Sequence, residues 1–273
     1  MQALKMKKVK QLKLFVIMIV VLTLVNQHFS NLLATVSSSS LSSSDSLVSE
    51  GNRHYMDREY DLAVKCYSEV INMGYESGEL YYNLGNAYYK QENLPRAILN
   101  YEKALLLKPG NVDIRQNLAL ANYRIVDKID SIPDFFLHRW VNYFQGLFSP
   151  DRWAIVSIIL FMLALTTFLW FILSSSYRAK GMSFSFGFLL LMLSFISILT
   201  MRSRTQKLLR SESAIIMVSS VNAKSSPDEQ STNIFVLHEG TKVMLVDSVQ
   251  KWREIRIADG NKGWVPDEVL GEI

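Results

Sequence analysis

Three long stretches of this chain carry almost no charge, and the spacing of apolar residues changes twice between them and the C-terminus. The first stretch, Leu14 to Val25, follows five lysines and is about a dozen residues long, too short to cross a ~30 Å hydrocarbon layer comfortably. A basic head on a short apolar core predicts a secretory signal over residues 1–34. Ala34 is a candidate cleavage point. Leu32 departs from the small-residue rule there, so an uncleaved anchor stands as the alternative. Residues 35–47, "TVSSSSLSSSDSL", have too little apolar surface for a core and predict a flexible spacer. Over 48–131 apolar residues recur at three- and four-residue spacing, with Gly or Pro in the breaks, which predicts helices.

The other two uncharged stretches are Trp153–Tyr177 and Gly181–Met201. Each is long enough to span a bilayer, and the spans are predicted at 153–174 and 182–201. Only "RAK", Arg178 to Lys180, separates the runs, so they form a helical hairpin in contact with lipid. Two buried helices of a soluble core are the alternative, but runs this long and uncharged are rare outside membranes. Ahead of them, within a linker over 132–150, Leu137, Trp140, Val141, Phe144 and Phe148 fall on one helical face. Such a face either lies in the membrane interface or caps the preceding helices. After a basic linker, 202–212, the period shortens. Residues 213–273 hold short runs rich in Val and Ile, bounded by Gly, Ser, Asp or Pro, and Asp259-Gly260 between two of them signals a hairpin. The expected fold class is multidomain: an all-α helical array, a two-helix transmembrane hairpin and a small all-β barrel.

The helical region repeats itself. Gly51 and Gly85, Ala63 and Ala97, and Tyr67 and Tyr101 are each 34 residues apart. A period of 34 with Gly, Ala and aromatic anchors resembles the tetratricopeptide repeat, a helix–turn–helix solenoid unit. Gly85 lets the two helices of one repeat approach, Tyr101 fills the space beside it, and Pro109 stops the second helix. Two full repeats are expected, followed by a capping helix, "NVDIRQNLALANYRIVDK", in which Ala119 stands at the glycine position. Such an array is short, since about three repeats are usual for stable stacking.

The resemblance implies that the first helices line a groove and that two positions face it. These hold Asn83 and Asn117, and Asn52 and Asn86. An amide is donor and acceptor together, so it can hold a peptide backbone without reading side chains. The cations of carboxylate-clamping repeats are absent, with Val48, Asp113 and Asn117 at those positions. The plain alternative is that the asparagines are solvated residues on a helix face.

Residues 213–271 resemble the bacterial SH3-like domain through Asn222-Ala223-Lys224, Gly240, Trp252 and the pair Gly263-Trp264. Trp252 and Trp264 either form an aromatic ligand surface or pack.

Charge supports this division. Residues 1–13 carry +5, 45–134 carry −4, 135–211 carry +7 and 212–273 carry −4. The basic charge flanks apolar segments, as a topology signal does, and both soluble regions are acidic, which excludes a nucleic-acid partner. The lone Cys66 excludes an internal disulfide and an all-cysteine metal cluster. His28, His54, His138 and His238 are scattered, and no phosphate loop or nucleophile elbow is present. A Cys66–His54 pair is conceivable, but a buried inert thiol on a repeat helix is the better reading. No catalytic residue, metal site or cofactor is expected.

A signal followed by a hairpin puts both soluble regions on the outer face of the cytoplasmic membrane. Arg178 and Lys180 in the short loop agree with the positive-inside rule, whereas Arg202, Arg204, Lys207 and Arg210 oppose it. The signal takes priority because it commits the chain first. Taken in order, signal, repeats, hairpin and SH3-like domain resemble the BatE-like family of the bacterial aerotolerance operon over essentially the whole chain. That resemblance implies a multi-pass, non-enzymatic scaffold in an assembly of membrane and exported proteins, some with metal-dependent adhesion-type domains. Its partners are then the lipid bilayer and those proteins. The alternative is an envelope sensor whose SH3-like domain binds peptidoglycan peptides.

Overall fold

Helix–turn–helix pairs carry the 34-residue period. A computed structural model describes residues 41–129, 136–209 and 212–273; the predicted signal and residues 35–40 of the spacer lie outside the described residues. The helices are α1 (Leu41–Met56), α2 (Tyr60–Asn72), α3 (Gly78–Lys90), α4 (Leu94–Leu107) and α5 (Val112–Arg124). Three of the starts are capped by side chains. Ser77 accepts from the Leu80 N–H, Asn93 from the Arg96 N–H and Asn111 from the Ile114 N–H, each satisfying a donor the helix itself leaves open. Helix α1 begins at Leu41, inside the expected spacer, which is thereby shortened at its C-terminal end. The reason is packing: Leu47 and Val48 lie against the repeat core, so the serine-rich run continues as a helix.

The close approach inferred from the period is present in both repeats. A Cβ on Gly51 would stand 2.6 Å from Tyr67 Cε1, and one on Gly85 would stand 2.7 Å from Tyr101 Cε1. Ala63, Ala97, Tyr67 and Tyr101 are buried with Ile98, Ala104 and Ile114 in one core.

Beyond α6 (Phe136–Gln145), α7 (Pro150–Leu173) and α8 (Tyr177–Leu209) are long and apolar enough to cross a membrane. Most of their residues stand exposed, unlike the core helices of a soluble domain. The turn between them is Ser174–Ser176, and "RAK" belongs to α8 rather than to a loop, because the Lys180 N–H already donates to the Ser176 carbonyl. Small residues draw the helices together: Ser194 Oγ donates to the Ser157 carbonyl and Ser197 Oγ to that of Trp153, at 2.9 and 2.8 Å. Residues 160–192 belong to a compact unit separate from the repeats and the sheet.

The C-terminal strands are β1 (Ser213–Ile216), β2 (Ser220–Lys224), β3 (Asn233–His238), β4 (Lys242–Val249), β5 (Trp252–Arg256), β6 (Lys262–Pro266) and β7 (Leu270–Glu272). Their order is β3-β2-β6-β5-β4-β1-β7, with antiparallel pairing throughout. The Asp259-Gly260 turn joins β5 to β6, with Gly260 at a φ of 93°. The expected barrel is not closed. Strand β7 is three residues long and pairs only with β1, and β2 meets β6 at the single pair Lys224–Trp264, so β3 and β7 remain edges.

Repeats and sheet share a core. Ala214 and Ile216 of β1 face the sheet interior, while Ile215 between them is buried in the repeat core with Met217 and Ile273 beside it. A strand buried on both faces must be apolar at successive positions, and "AII" is. Gly240, at a φ of 84°, lies against Ile125 and Ile98, where a Cβ would meet Ile125 Cγ2 at 2.6 Å. Asp127 accepts from the His238 N–H at 2.8 Å and from Thr241 Oγ1 at 2.6 Å, and its other oxygen lies 2.7 Å from His238 Nδ1. Lys242 Nζ reaches Glu102 at 2.7 Å. At the end of α4, Arg204 donates to the Leu106 carbonyl at 3.3 Å, covering an acceptor the helix leaves open.

Candidate functional site

The asparagines singled out by the period meet in pairs, across repeats rather than within one helix. Tyr67 Oη donates to Asn52 Oδ1 at 2.7 Å, and Asn83 Nδ2 donates to the same oxygen at 3.2 Å. One period later Tyr101 Oη donates to Asn86 Oδ1 at 2.8 Å, and Asn117 Nδ2 donates to it at 2.8 Å as well as to Tyr82 Oη at 3.1 Å. Each of the six residues that form the two triads lies 34 positions from its counterpart. The arrangement follows from the fold: the second-helix tyrosine fills the space beside the glycine, and its hydroxyl emerges where the first helix carries its asparagine.

This geometry divides the amides by role. Asn52 Oδ1 and Asn86 Oδ1 each accept two bonds and are saturated. Among the described residues, Asn52 Nδ2 and Asn86 Nδ2 donate to nothing, and Asn83 Oδ1 and Asn117 Oδ1 accept nothing. Each pair therefore leaves an unbonded amide nitrogen and an unbonded amide oxygen, the donor and acceptor types that a peptide group needs. The tyrosines that hold the amides stay protonated: burial, reinforced by neighbouring phenols, pushes Tyr67 up to about 12 and drives Tyr101 up as well. A concavity of about 320 Å³ opens here, lined by Asn52, Tyr55, Met56, Tyr67, Asn83 and Asn86. Tyr81, Leu84, Gly85 and Tyr88 are packed inside, so the tyrosine-rich α3 divides into a core face and a groove face. The hydroxyl partners Tyr67, Tyr82 and Tyr101 were not foreseen as site residues. Tyr67 and Tyr101 share the 34-residue register of the asparagines, which was the signal available, whereas Tyr82 has Val48 and Gln116 one period to either side.

Trp252 and Trp264 are half-buried on one face of the sheet. Pairing sets Trp252 opposite Pro266 and Trp264 opposite Glu254, so the two indoles are diagonal neighbours on β5 and β6. Cys66 lies beside Gly51, and burial followed by the Glu50 carboxylate pushes its thiol up, away from the thiolate. His54 pairs with Glu59 at 2.6 Å and Glu50 at 3.7 Å. Among the described residues no group of three or more His, Cys, Asp or Glu is placed to hold a metal ion.

Helix–turn–helix units stacked at a 34-residue step, with an amide-lined groove, define a helical-repeat interaction module. Residues 78–111, which comprise α3, α4 and their turns, match the tetratricopeptide repeat family, so the chain contains tetratricopeptide repeats, which generally mediate protein–protein interaction. No curated protein matches the chain.

Proposed function

We propose that this protein is a non-enzymatic, membrane-anchored scaffold that holds protein partners in the groove of its repeats. The observation that carries this is the pair of amide triads, each leaving an amide nitrogen and an amide oxygen unbonded. Helices α7 and α8 supply the bilayer anchor, and the domain order supports an aerotolerance-type assembly of membrane and exported proteins. The repeats and the sheet face outward in this reading. Engagement of Arg204 with the α4 terminus supports it, because one of the four cations that oppose the positive-inside rule has a protein partner. Affinity purification from native membranes tests the scaffold: Asn83→Ala with Asn117→Ala should lose partners that the wild-type chain retains, with melting unchanged within about 1 kcal/mol. Equal recovery would move the binding surface elsewhere.

A second reading has its own observation, the two tryptophans on one sheet face. It makes the chain a sensor of peptidoglycan peptides. Because Ile215 is buried in the repeat core, the sheet is best assayed within the whole chain. Sedimentation of the detergent-solubilised protein with purified peptidoglycan, lost in Trp252→Ala with Trp264→Ala, favours the sensor.

A further inference from the structure

Helix α6 ends where the bilayer begins. Trp153 opens the uncharged run of α7, and its side chain is buried against the end of α6 and the link that follows. Its indole N–H donates to the Gln145 carbonyl at 3.2 Å, and its ring lies 5.2 Å from that of Phe144 and 5.3 Å from that of Phe148, centroid to centroid. Helix α6 is thereby pinned at the level at which the chain enters hydrocarbon. The rest of its apolar side is uncovered. Trp140 and Tyr143 are 72% and 71% exposed, and Val141 and Phe144 are exposed beside them. Spacing of three and four puts Trp140, Tyr143 and Phe144 on one face. That face does not cap the repeats, since Leu120 and Tyr123 of α5 are themselves 57% and 81% exposed. Of the two places the sequence allows α6, the membrane interface is the one that remains.

We infer that α6 is an in-plane membrane helix: its Trp140–Tyr143–Phe144 face enters the headgroup–acyl boundary of an anionic bilayer, and Arg152 and Arg202 meet lipid phosphates. This rests on α7 and α8 as the bilayer anchor and adds a second contact, along the surface. A helix pinned at one end can rise into water, sink into the bilayer or lie flat. Rising would leave three aromatic rings in water. Sinking would carry a sequence that holds His138, Arg139 and Asn142 into hydrocarbon, where an arginine is costly. Lying flat puts tryptophan and tyrosine at the depth these amphipathic rings favour. The face is also continuous with the span, whose Ile155, Ile158 and Ile159 are exposed. Charge selects the lipid. Ser197 Oγ donates to the Trp153 carbonyl, so Arg202, further along α8, stands at the same end of the hairpin as Arg152. Both are exposed, and among the described residues neither has an ion pair. Asp151 is the single acid of residues 135–211, against eight bases. The seated helix also positions the repeats. Residues 147–149, which follow it, line a cavity of about 520 Å³ together with residues 107–111 of the α4–α5 connection, so that end of the repeats stands at the bilayer surface.

The test uses the full-length chain, with Cys66→Ser, in vesicles of phosphatidylcholine and phosphatidylglycerol. A small fluorophore is attached at Tyr143→Cys, at Ile159→Cys in the span, or at Tyr123→Cys on α5; all three side chains are exposed, so folding survives. Quenching by lipids brominated at shallow or deep acyl positions reads the depth of each label. The label at 143 should be quenched by shallow bromines, the label at 159 more by deep ones, and the label at 123 by neither. At equal mole fraction, brominated phosphatidylglycerol should quench at 143 more than brominated phosphatidylcholine, by up to about fivefold for each cation that meets a phosphate. Arg152→Gln with Arg202→Gln should bring the two lipids level. Quenching at 159 without quenching at 143 overturns the seating of α6 and leaves the anchor standing. Stronger quenching at 143 by deep bromines than by shallow ones overturns an in-plane helix. Equal quenching by the two lipids before the arginines are changed overturns the recognition of anionic headgroups. No quenching at 159 would sink the anchor and the seating of α6 together.

Discussion

Asp127→Ala should loosen the junction between repeats and sheet by about 2–4 kcal/mol. Its carboxylate holds the His238 N–H, the Thr241 hydroxyl and the His238 ring at 2.8, 2.6 and 2.7 Å. A hydrogen bond to a charged group contributes about 1.5–3 kcal/mol when buried. The Asp127 side chain is only 13% exposed and Thr241 is buried, so those bonds are shielded; the His238 ring is more open, and its share is discounted for water. The pH dependence has a definite sign. Burial alone raises the carboxyl, but hydrogen bonds from Thr241 and from the His238 backbone and ring outweigh it, and the group titrates below its ordinary 3.8. A carboxylate depressed on folding adds stability that is present above 3.8 and is lost as pH falls through the folded value. Thermal melting of the detergent-solubilised chain, followed by tryptophan fluorescence, should show the gap between wild type and Asp127→Ala at pH 7. The gap should narrow on acidification through that value, by the part of it that the depressed carboxyl supplies. Lys242→Ala, which breaks the more exposed contact to Glu102, should cost under about 1 kcal/mol. An Asp127→Ala protein within about 0.5 kcal/mol of wild type, or a gap indifferent to acid, refutes the reasoning.

Gly85→Ala and Gly51→Ala should each destabilise the repeats by about 1–3 kcal/mol, because the new Cβ meets a buried tyrosine ring at 2.7 and 2.6 Å; equal melting temperatures to wild type would contradict the close approach. Ile215→Ala should cost about 2–5 kcal/mol and raise hydrogen exchange in α4 and β1 together, since the side chain is fully buried where the two cores join. For Tyr67, whose pKa is raised from 10.0 to about 12, the protonated phenol adds stability below pH 10 that is lost as pH rises towards 12. Tyr67→Phe should therefore lower stability at neutral pH by about 0.5–1.5 kcal/mol and flatten its alkaline decline.

The repeat was legible because its anchors answer a local need repeated at a fixed interval. Glycine appears where a tyrosine ring leaves no room for a Cβ, at 51 and again at 85. The apolar hairpin was legible from length and absence of charge. Its turn was not, since Arg178 and Lys180 are polar enough to read as a loop while their backbone is helical. The groove asparagines were found by register, but their tyrosine partners lie fifteen residues away on the following helix, and no short-range pattern reports a hydroxyl emerging there. Least legible was the joined core. "AII" in β1 reads as a strand buried on both faces, yet which surface covers Ile215 is decided by contacts with α4, more than a hundred residues earlier. The open sheet was missed for a related reason, because closure depends on how far β2 and β6 pair, and pairing length is a tertiary outcome.

Photo-crosslinking in native membranes addresses the groove most directly. A photoreactive residue placed at Leu120 or Tyr123 should give a discrete adduct with another protein. The same residue at Leu62, exposed on the second-helix side, should give none. The adduct should disappear when Asn83 and Asn117 are both changed to alanine. Adducts of equal yield at Leu62 and Leu120, or adducts indifferent to the two asparagines, would contradict a scaffold that works through its repeats.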